Sequence, residues 1–248
     1  LSPYQLLLWP VAISVPVLAL LVVLGGRTRA LVRMPRSALL RAALLGALNP
    51  FLYYLVLFAA YDRLPGQVAM SLNYAWPMVL ALLAAPLLGQ SLSRRQLTAI
   101  AVSFGGAVLI VTGGQFGFDE GLSVVGVALA LGSTVIWSGF WLLNARDGGD
   151  QVAKLLLGFM TGLILALVMT PLLGQAGVEA FQWPPAASWP ALLYVGLFEM
   201  GLAFVLWLTA LQWSDSAARL GQLIYLAPFL SLLFLHWVIG EPLQPTTP

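Results

Sequence analysis

The chain has 248 residues, 60% of them hydrophobic and 8% charged, with a formal net charge of +2 and a mean hydropathy of +0.94. Soluble domains carry about 25% charged residues, so a water-soluble globule is excluded and the lipid bilayer is the first partner that the composition implies. The lack of cysteine excludes disulfides and thiolate metal sites, and no motif calls for a metal or a cofactor.

A bilayer core about 30 Å thick takes roughly 20 apolar residues of helix. Uncharged runs of that size predict eight spans, at residues 4–24, 39–61, 66–88, 96–113, 122–144, 155–173, 189–212 and 220–239. Within them fall only Arg41, near an end, and Glu199, near a middle. Because the chain opens inside the first of these runs, no cleavable signal is visible in it, and none is expected. With the loop after the first span counted as cytoplasmic, that side collects Arg27, Arg29, Arg33, Arg36, Arg41, Arg94, Arg95, Arg146, Lys154 and Arg219, against Arg63 alone on the other. The positive-inside rule then sets the topology and sends the loop with Asp119 and Glu120 outside. Because the basic residues sit at membrane margins and form no single patch, nucleic acid is excluded as a partner.

The spans also repeat. Residues 45–60 align with 195–210 at an offset of 150, matching Gly46 with Gly196, Leu52 with Leu202 and Ala60 with Ala210. After a slip of one residue, Y-A-W-P at 74–77 falls on Y-L-A-P at 225–228, Gly89 on Gly240 and Leu92 on Leu243. The second span thus corresponds to the seventh, and an odd number of crossings between them makes the halves inverted. The expected halves are 1–115 and 122–248, two five-helix repeats of which the first lacks its first helix and the second its last. Ten spans are expected in the full protein, eight of them visible in this chain.

Inverted repeats place substrate sites near the midplane and move by alternating access. Three polar pairs occur at equivalent positions: Asn49 with Glu199, Ser71 with Gln222, and Tyr74 with Tyr225. Ser71 and Tyr74 are three apart, as are Gln222 and Tyr225, which puts each couple on one helical face, and Gln67 extends the first by a turn. Any of these amides and hydroxyls can instead be interhelical glue. Pro50, Pro77 and Pro228 can simply kink helices, or can open a cavity and let the spans flex. Glu199 is the one acidic side chain at the centre of a span; it either faces a cavity and binds a cation or proton, or is protonated and hydrogen-bonded inside the bundle. His236, near the outer end of its span, reads as an interfacial residue. Trp9, Trp183, Trp189, Trp213 and Trp237 read as interface anchors. The deeper Trp76, Trp137, Trp141 and Trp207 either pack the bundle or line a pocket for a planar ligand.

N-Y-A-W-P at 73–77, Y-L-A-P at 225–228, the segments G-Q-S-L-S at 89–93 and G-E-P-L-Q at 240–244, and the short basic loops together resemble the EamA-type drug/metabolite transporter superfamily. Within it, N-Y-A-W-P is most similar to the YddG-like exporters of aromatic amino acids. The resemblance implies a ten-helix carrier of the bacterial inner (plasma) membrane, both termini of the full protein cytoplasmic, with a central cavity lined by the visible second, third, seventh and eighth spans. It implies a small-molecule substrate, an aromatic amino acid, with a proton as a coupling partner left open.

On this reading Asn49, Ser71 and Gln222 hydrogen-bond amino and carboxyl groups, and Tyr74, Trp76, Trp137, Trp141 and Tyr225 shape an aromatic pocket. Glu199 meets an ammonium or a coupling proton, while Pro50, Pro77 and Pro228 serve as kinks or gates. An intramembrane enzyme would need convergent catalytic groups, and the spans offer one midplane acid and one peripheral histidine. A channel or structural protein would need no inverted symmetry centred on polar residues. Within carriers, another drug or metabolite remains an alternative, but a phosphorylated substrate would call for midplane Lys or Arg, and none is present.

Overall fold

A computed structural model describes residues 3–112, 123–175, 183–227, 229–230 and 237. All regular structure among them is helical: α1 Pro3–Leu24, α2 Thr28–Val32, α3 Arg36–Gly46, α4 Tyr53–Tyr61, α5 Gly66–Asn73, α6 Trp76–Leu88, α7 Arg94–Thr112, α8 Val124–Arg146, α9 Gln151–Gln175, α10 Trp189–Tyr194, α11 Phe204–Trp213 and α12 Ala217–Gln222. Among the described residues six stretches are long and apolar enough to cross a membrane: Tyr4–Leu24, Arg36–Tyr61, Val68–Leu88, Val124–Arg146, Gln151–Met169 and Ala186–Trp213. Helix α7, with 19 residues, is about 28 Å long and takes the place of the fourth expected span. Most of the eighth expected span, with Pro228 and His236, lies outside the described residues, as does the loop holding Asp119 and Glu120. Leu20, Val102, Val168 and Leu206 are more than half exposed on these helices, as lipid-facing side chains are. The chain is a polytopic all-helical membrane protein.

Three of the expected spans are broken, two of them at the prolines read as kinks and the third without one. Pro50 has no N–H to give and its ring displaces the preceding turn, so the second span runs as α3, a π-helical segment Ala47–Leu52 with Asn49 extended (φ −149°, ψ 123°), and α4. The third runs as α5, a turn at Tyr74 and Ala75, then α6, whose first turn holds Pro77. The seventh runs as α10, a π-helical segment Val195–Ala203, and α11, with no proline inside the segment. The sixth span starts earlier than its apolar run, since α9 opens at Gln151 and takes Lys154 into its first turn.

The chain forms two compact units, Leu1–Leu55 with Leu143–Trp213, and Val56–Leu142 with Ser214–Pro248. Each draws on both sequence halves, because a membrane helix finds its partners laterally and not in chain order. In the first unit α1 lies along α9 and the segment Val195–Ala203, while α3 and the segment Ala47–Leu52 lie along α9. Lipid tails are as apolar as leucine, so such contacts gain from close approach of backbones. Gly46 and Gly158 provide it: a Cβ built on Gly46 would sit 2.0 Å from the Gly158 carbonyl oxygen. The buried Ser14 hydroxyl is shared between the carbonyls of Pro10 at 2.7 Å and Gly196 at 2.9 Å, tying α1 to the second π-helical segment.

At one end of this unit Asp147 gathers Arg41 at 3.1 Å and Lys154 at 2.6 Å, and Asp150 pairs with Arg27 at 3.2 Å. Burial pushes the Asp147 carboxyl up, but hydrogen bonds from Lys154 and Arg41, and their charges, outweigh it and hold the group below the usual aspartate range. Lys154, 3% exposed, also donates to the Gly148 carbonyl. Arg27 ties the loop after the first span to the loop after the fifth, and Arg41 of α3 and Lys154 of α9 meet that second loop at Asp147, all on the side to which the charge distribution assigns them.

In the second unit α12 packs on α6 and α7, and α5 on α7. A small core of Ala81, Ile100 and Ala218, flanked by Met78 and Leu92, joins α6, α7 and α12. The Gln90 side-chain carbonyl accepts from the Ala217 N–H at 2.9 Å, and Ser216 accepts from the Arg219 N–H at 3.3 Å, so two of the first-turn donors of α12 are met.

Candidate functional site

The expected site residues fall into two groups, one in each compact unit. In the first unit Asn49 is wholly buried at the break between α3 and α4, where the segment carrying it lies against α9. Neither its amide nitrogen nor its amide oxygen has a hydrogen-bond partner among the described residues. A buried amide in that condition costs about 1–3 kcal/mol, which other contacts must offset. Pro50 beside it is buried too, closed in by Gly162 of α9, where an added Cβ would meet the proline ring at 2.7 Å.

Glu199 lies on the other π-helical segment, off the stripe of Gly196, Met200 and Gly201 that this segment buries. Within its own unit it is exposed, with Phe198 and Leu202 exposed beside it. The Tyr54 phenol in α4 is within electrostatic reach of its carboxylate. No hydrogen bond or ion pair joins Asn49 to Glu199 among the described residues.

The remaining residues belong to the second unit. Ser71 is buried in α5, Tyr74 is half-buried where α5 ends, and Trp76 begins α6. Trp76 meets Trp137 of α8 edge to face, centroids 6.1 Å apart at 73°, and Trp137 meets Trp141 at 5.6 Å and 81°. The three indoles therefore form one chain of T-shaped contacts. Trp141, 1% exposed, also stands against Phe140 at 5.0 Å, so its ring is packed within the unit. Pro77 is buried under α12, where Gly221 lies against it. Gln222 is half-buried at the end of α12, and Tyr225 is buried in the 3₁₀ turn Leu223–Leu226, its ring 6.5 Å from Phe104 and its hydroxyl beside the Met78 backbone.

Two features escaped sequence reasoning. Helix α8 is fastened to the α5–α6 break by polar contacts: Asn73 donates to the Ser133 hydroxyl at 3.3 Å, and the Ser138 hydroxyl donates to the Trp76 carbonyl at 2.9 Å. Ser133 and Ser138 of α8 carry these contacts, a signal hidden because α8 has no equivalent break to align with. The anchoring tryptophans also associate: Trp9 lies 4.9 Å from Trp183 and 5.4 Å from Trp189. Among the described residues no group of acids, histidines or cysteines could hold a metal.

The sequence matches the EamA-like transporter family over residues 1–112 and 124–247. The chain therefore belongs to the EamA-like transporter family. It is 29% identical to the aromatic amino acid exporter YddG of Ancylobacter novellus over 75% of this chain, a region that spans 63% of that protein's length. It is 30% identical to a Streptantibioticus cattleyicolor protein named "Probable terminal-alkyne amino-acid exporter", over 86% of this chain and 70% of that one. A protein crystal structure superposes with a TM-score of 0.82 at 25% identity, covering all of this chain and 84% of the other.

Proposed function

We propose that this chain is the greater part of a secondary carrier that moves aromatic amino acids, or small aromatic metabolites like them, out across the inner membrane by alternating access. The supporting observation is a coincidence of backbone and chemistry. The π-helical segments Ala47–Leu52 and Val195–Ala203 fall on one another at the 150-residue offset, and they carry Asn49 and Glu199. After the one-residue slip, at an offset of 151, the turn after α5 falls on the 3₁₀ turn Leu223–Leu226, and the two carry Tyr74 and Tyr225. Irregular backbone at membrane depth is tolerated where it lines a cavity or is buried in protein, and carriers place substrate groups at such breaks.

In this reading Asn49, Ser71 and Gln222 hydrogen-bond the amino and carboxyl groups. Trp76, Trp137 and Trp141, with Tyr74 and Tyr225, set the aromatic selectivity. Glu199 meets the ammonium or a coupling proton, and the full protein keeps both termini cytoplasmic. Two relatives carry amino-acid exporter in their names, one for aromatic and one for terminal-alkyne substrates, which supports an amino acid as cargo.

The test uses the full-length protein in proteoliposomes preloaded with unlabelled Phe, following entry of labelled Phe, Tyr, Trp, Leu and a nucleotide sugar with and without a pH gradient. Saturable counterflow confined to the three aromatic amino acids is expected. Equal exchange of Leu, or no amino-acid counterflow by folded protein, would overturn the aromatic assignment. Glu199→Gln is expected to flatten the pH dependence of exchange; an unchanged profile would remove Glu199 from proton coupling.

A further inference from the structure

The end of the first unit that holds Asp147 also holds a groove of about 460 Å³. Its walls are Leu44, Leu45 and Leu48 from α3 and the segment after it, and Leu143 from the last turn of α8. Arg41, Arg146 and Asp147 complete its lining. Depth orders these residues. Arg41 and Arg146 belong to the ends of the spans Arg36–Tyr61 and Val124–Arg146, while the leucines lie one to two turns further into them. A cationic rim at the membrane boundary thus opens on an apolar slot within the hydrocarbon, with Leu44 and neighbouring Leu40 more than half exposed.

Charge decides what such a groove can take. Asp147 is engaged by both Arg41 and Lys154, and Arg146 lines the groove in addition, so the groove's one carboxylate is already matched by cations. Arg146 is exposed and makes no ion pair among the described residues. An anion with an apolar chain satisfies both parts. An amino-acid zwitterion does not, because its ammonium would need a carboxylate that Arg41 and Lys154 already occupy. A free phosphate would leave the leucines unfilled. We propose that the groove is a binding site for an anionic phospholipid, its phosphate held between Arg146 and Arg41 and one acyl chain lying along Leu44, Leu45, Leu48 and Leu143. Juxtamembrane cations draw anionic headgroups in this way, and the bilayer supplies them at high local concentration.

The experiment is native mass spectrometry and thermal melting of the full-length protein in neutral detergent with dioleoylphosphatidylglycerol, dioleoylphosphatidylcholine, inorganic phosphate or Phe. Phosphatidylglycerol should be retained and should raise the melting temperature, and phosphatidylcholine should not. Arg146→Gln should weaken retention about fivefold, the worth of one cation near the headgroups. Arg29→Gln, an exposed cation off the groove, should leave it unchanged. Equal retention of the two lipids would overturn the site. So would equal losses from the two arginine variants, which would mark diffuse surface charge. Displacement of the lipid by phosphate or by Phe would reassign the groove to a free anion or to the transported amino acid.

Discussion

Both compact units use ring contacts and hydroxyl hydrogen bonds between helices, and the first adds direct backbone contact and ion pairs. In the first, backbones touch at Gly46 and Gly158, and one end is clamped by all the ion pairs found among the described residues. In the second, helices are joined by edge-to-face indoles and by single hydroxyl or amide hydrogen bonds to α8. Apolar burial separates helices from lipid only weakly, so each unit needs specific contacts, and the two kinds differ in tolerance. A backbone against a backbone cannot yield, whereas a ring can tilt and a hydroxyl can find another acceptor. The first unit is expected to be brittle and the second forgiving.

The largest expected effect tests that contrast directly. Gly46→Ala places a methyl 2.0 Å from a main-chain oxygen, which only separation of α3 from α9 can relieve. Overpacking of this kind costs about 3 kcal/mol or more, so the purified protein should melt far lower or fail to fold. Gly221→Ala in the second unit meets nothing nearer than 3.4 Å and should change the melting temperature little. Similar losses from both would erase the distinction between the units.

Asp147→Asn comes next. The buried Lys154 would lose its carboxylate and keep only the Gly148 carbonyl, an uncompensated charge worth about 3 kcal/mol. Arg41, half exposed, adds little to that figure because solvent screens it. The sign of the pH dependence follows from the depressed carboxyl. The clamp's contribution is complete above the unfolded aspartate value of about 3.9 and disappears as pH falls through the lower folded value. Melting of the wild type should therefore show no loss traceable to this group between pH 7 and 5, while the variant should be weaker across that whole interval.

The repeat and the positions of the broken spans could be read from the chain because proline, glycine and midspan polar residues leave marks that survive the apolar background. Pro50 and Pro77 announce two breaks. The break at Val195–Ala203 contains no proline, and only its alignment with residues 45–60 points to it. The interleaving of the halves into two units left no mark, since lateral contacts in lipid depend on close approach and not on hydrophobic period. The Asp147 clamp is half visible in the chain: its basic members stand out as topology signals, whereas nothing in the sequence marks Asp147 or Asp150 as their partners. The role of α8 as the element to which the α5–α6 break is fastened rests on serines that composition cannot distinguish from filler.

Asn49→Leu is expected to act in the opposite direction from the first two changes. The unpaired amide gives way to an apolar side chain of similar size, and the extended backbone at this position suits any residue before proline. Removing a buried unsatisfied amide should stabilise the first unit by about 1–2 kcal/mol, seen as a raised melting temperature. If Asn49 contacts substrate as proposed, exchange should fall although the protein is more stable. A drop in stability would show that the amide is paired and that the first unit is less strained than its geometry indicates.

Ser138→Ala carries the smallest expected effect and is the sharper probe of the second unit. The hydroxyl donates to the Trp76 carbonyl at the first turn of α6, a bond of the kind worth about 0.6 kcal/mol between membrane helices. Deleting it leaves a carbonyl already within a helix, so melting should shift by a degree or two at most. The neighbouring contact between Trp76 and Trp137 should nevertheless loosen, because the serine fixes the height of α8 against α6. Tryptophan fluorescence of the variant should then change more than its stability does. A large stability loss with unchanged fluorescence would mean that the second unit, too, depends on a contact it cannot replace.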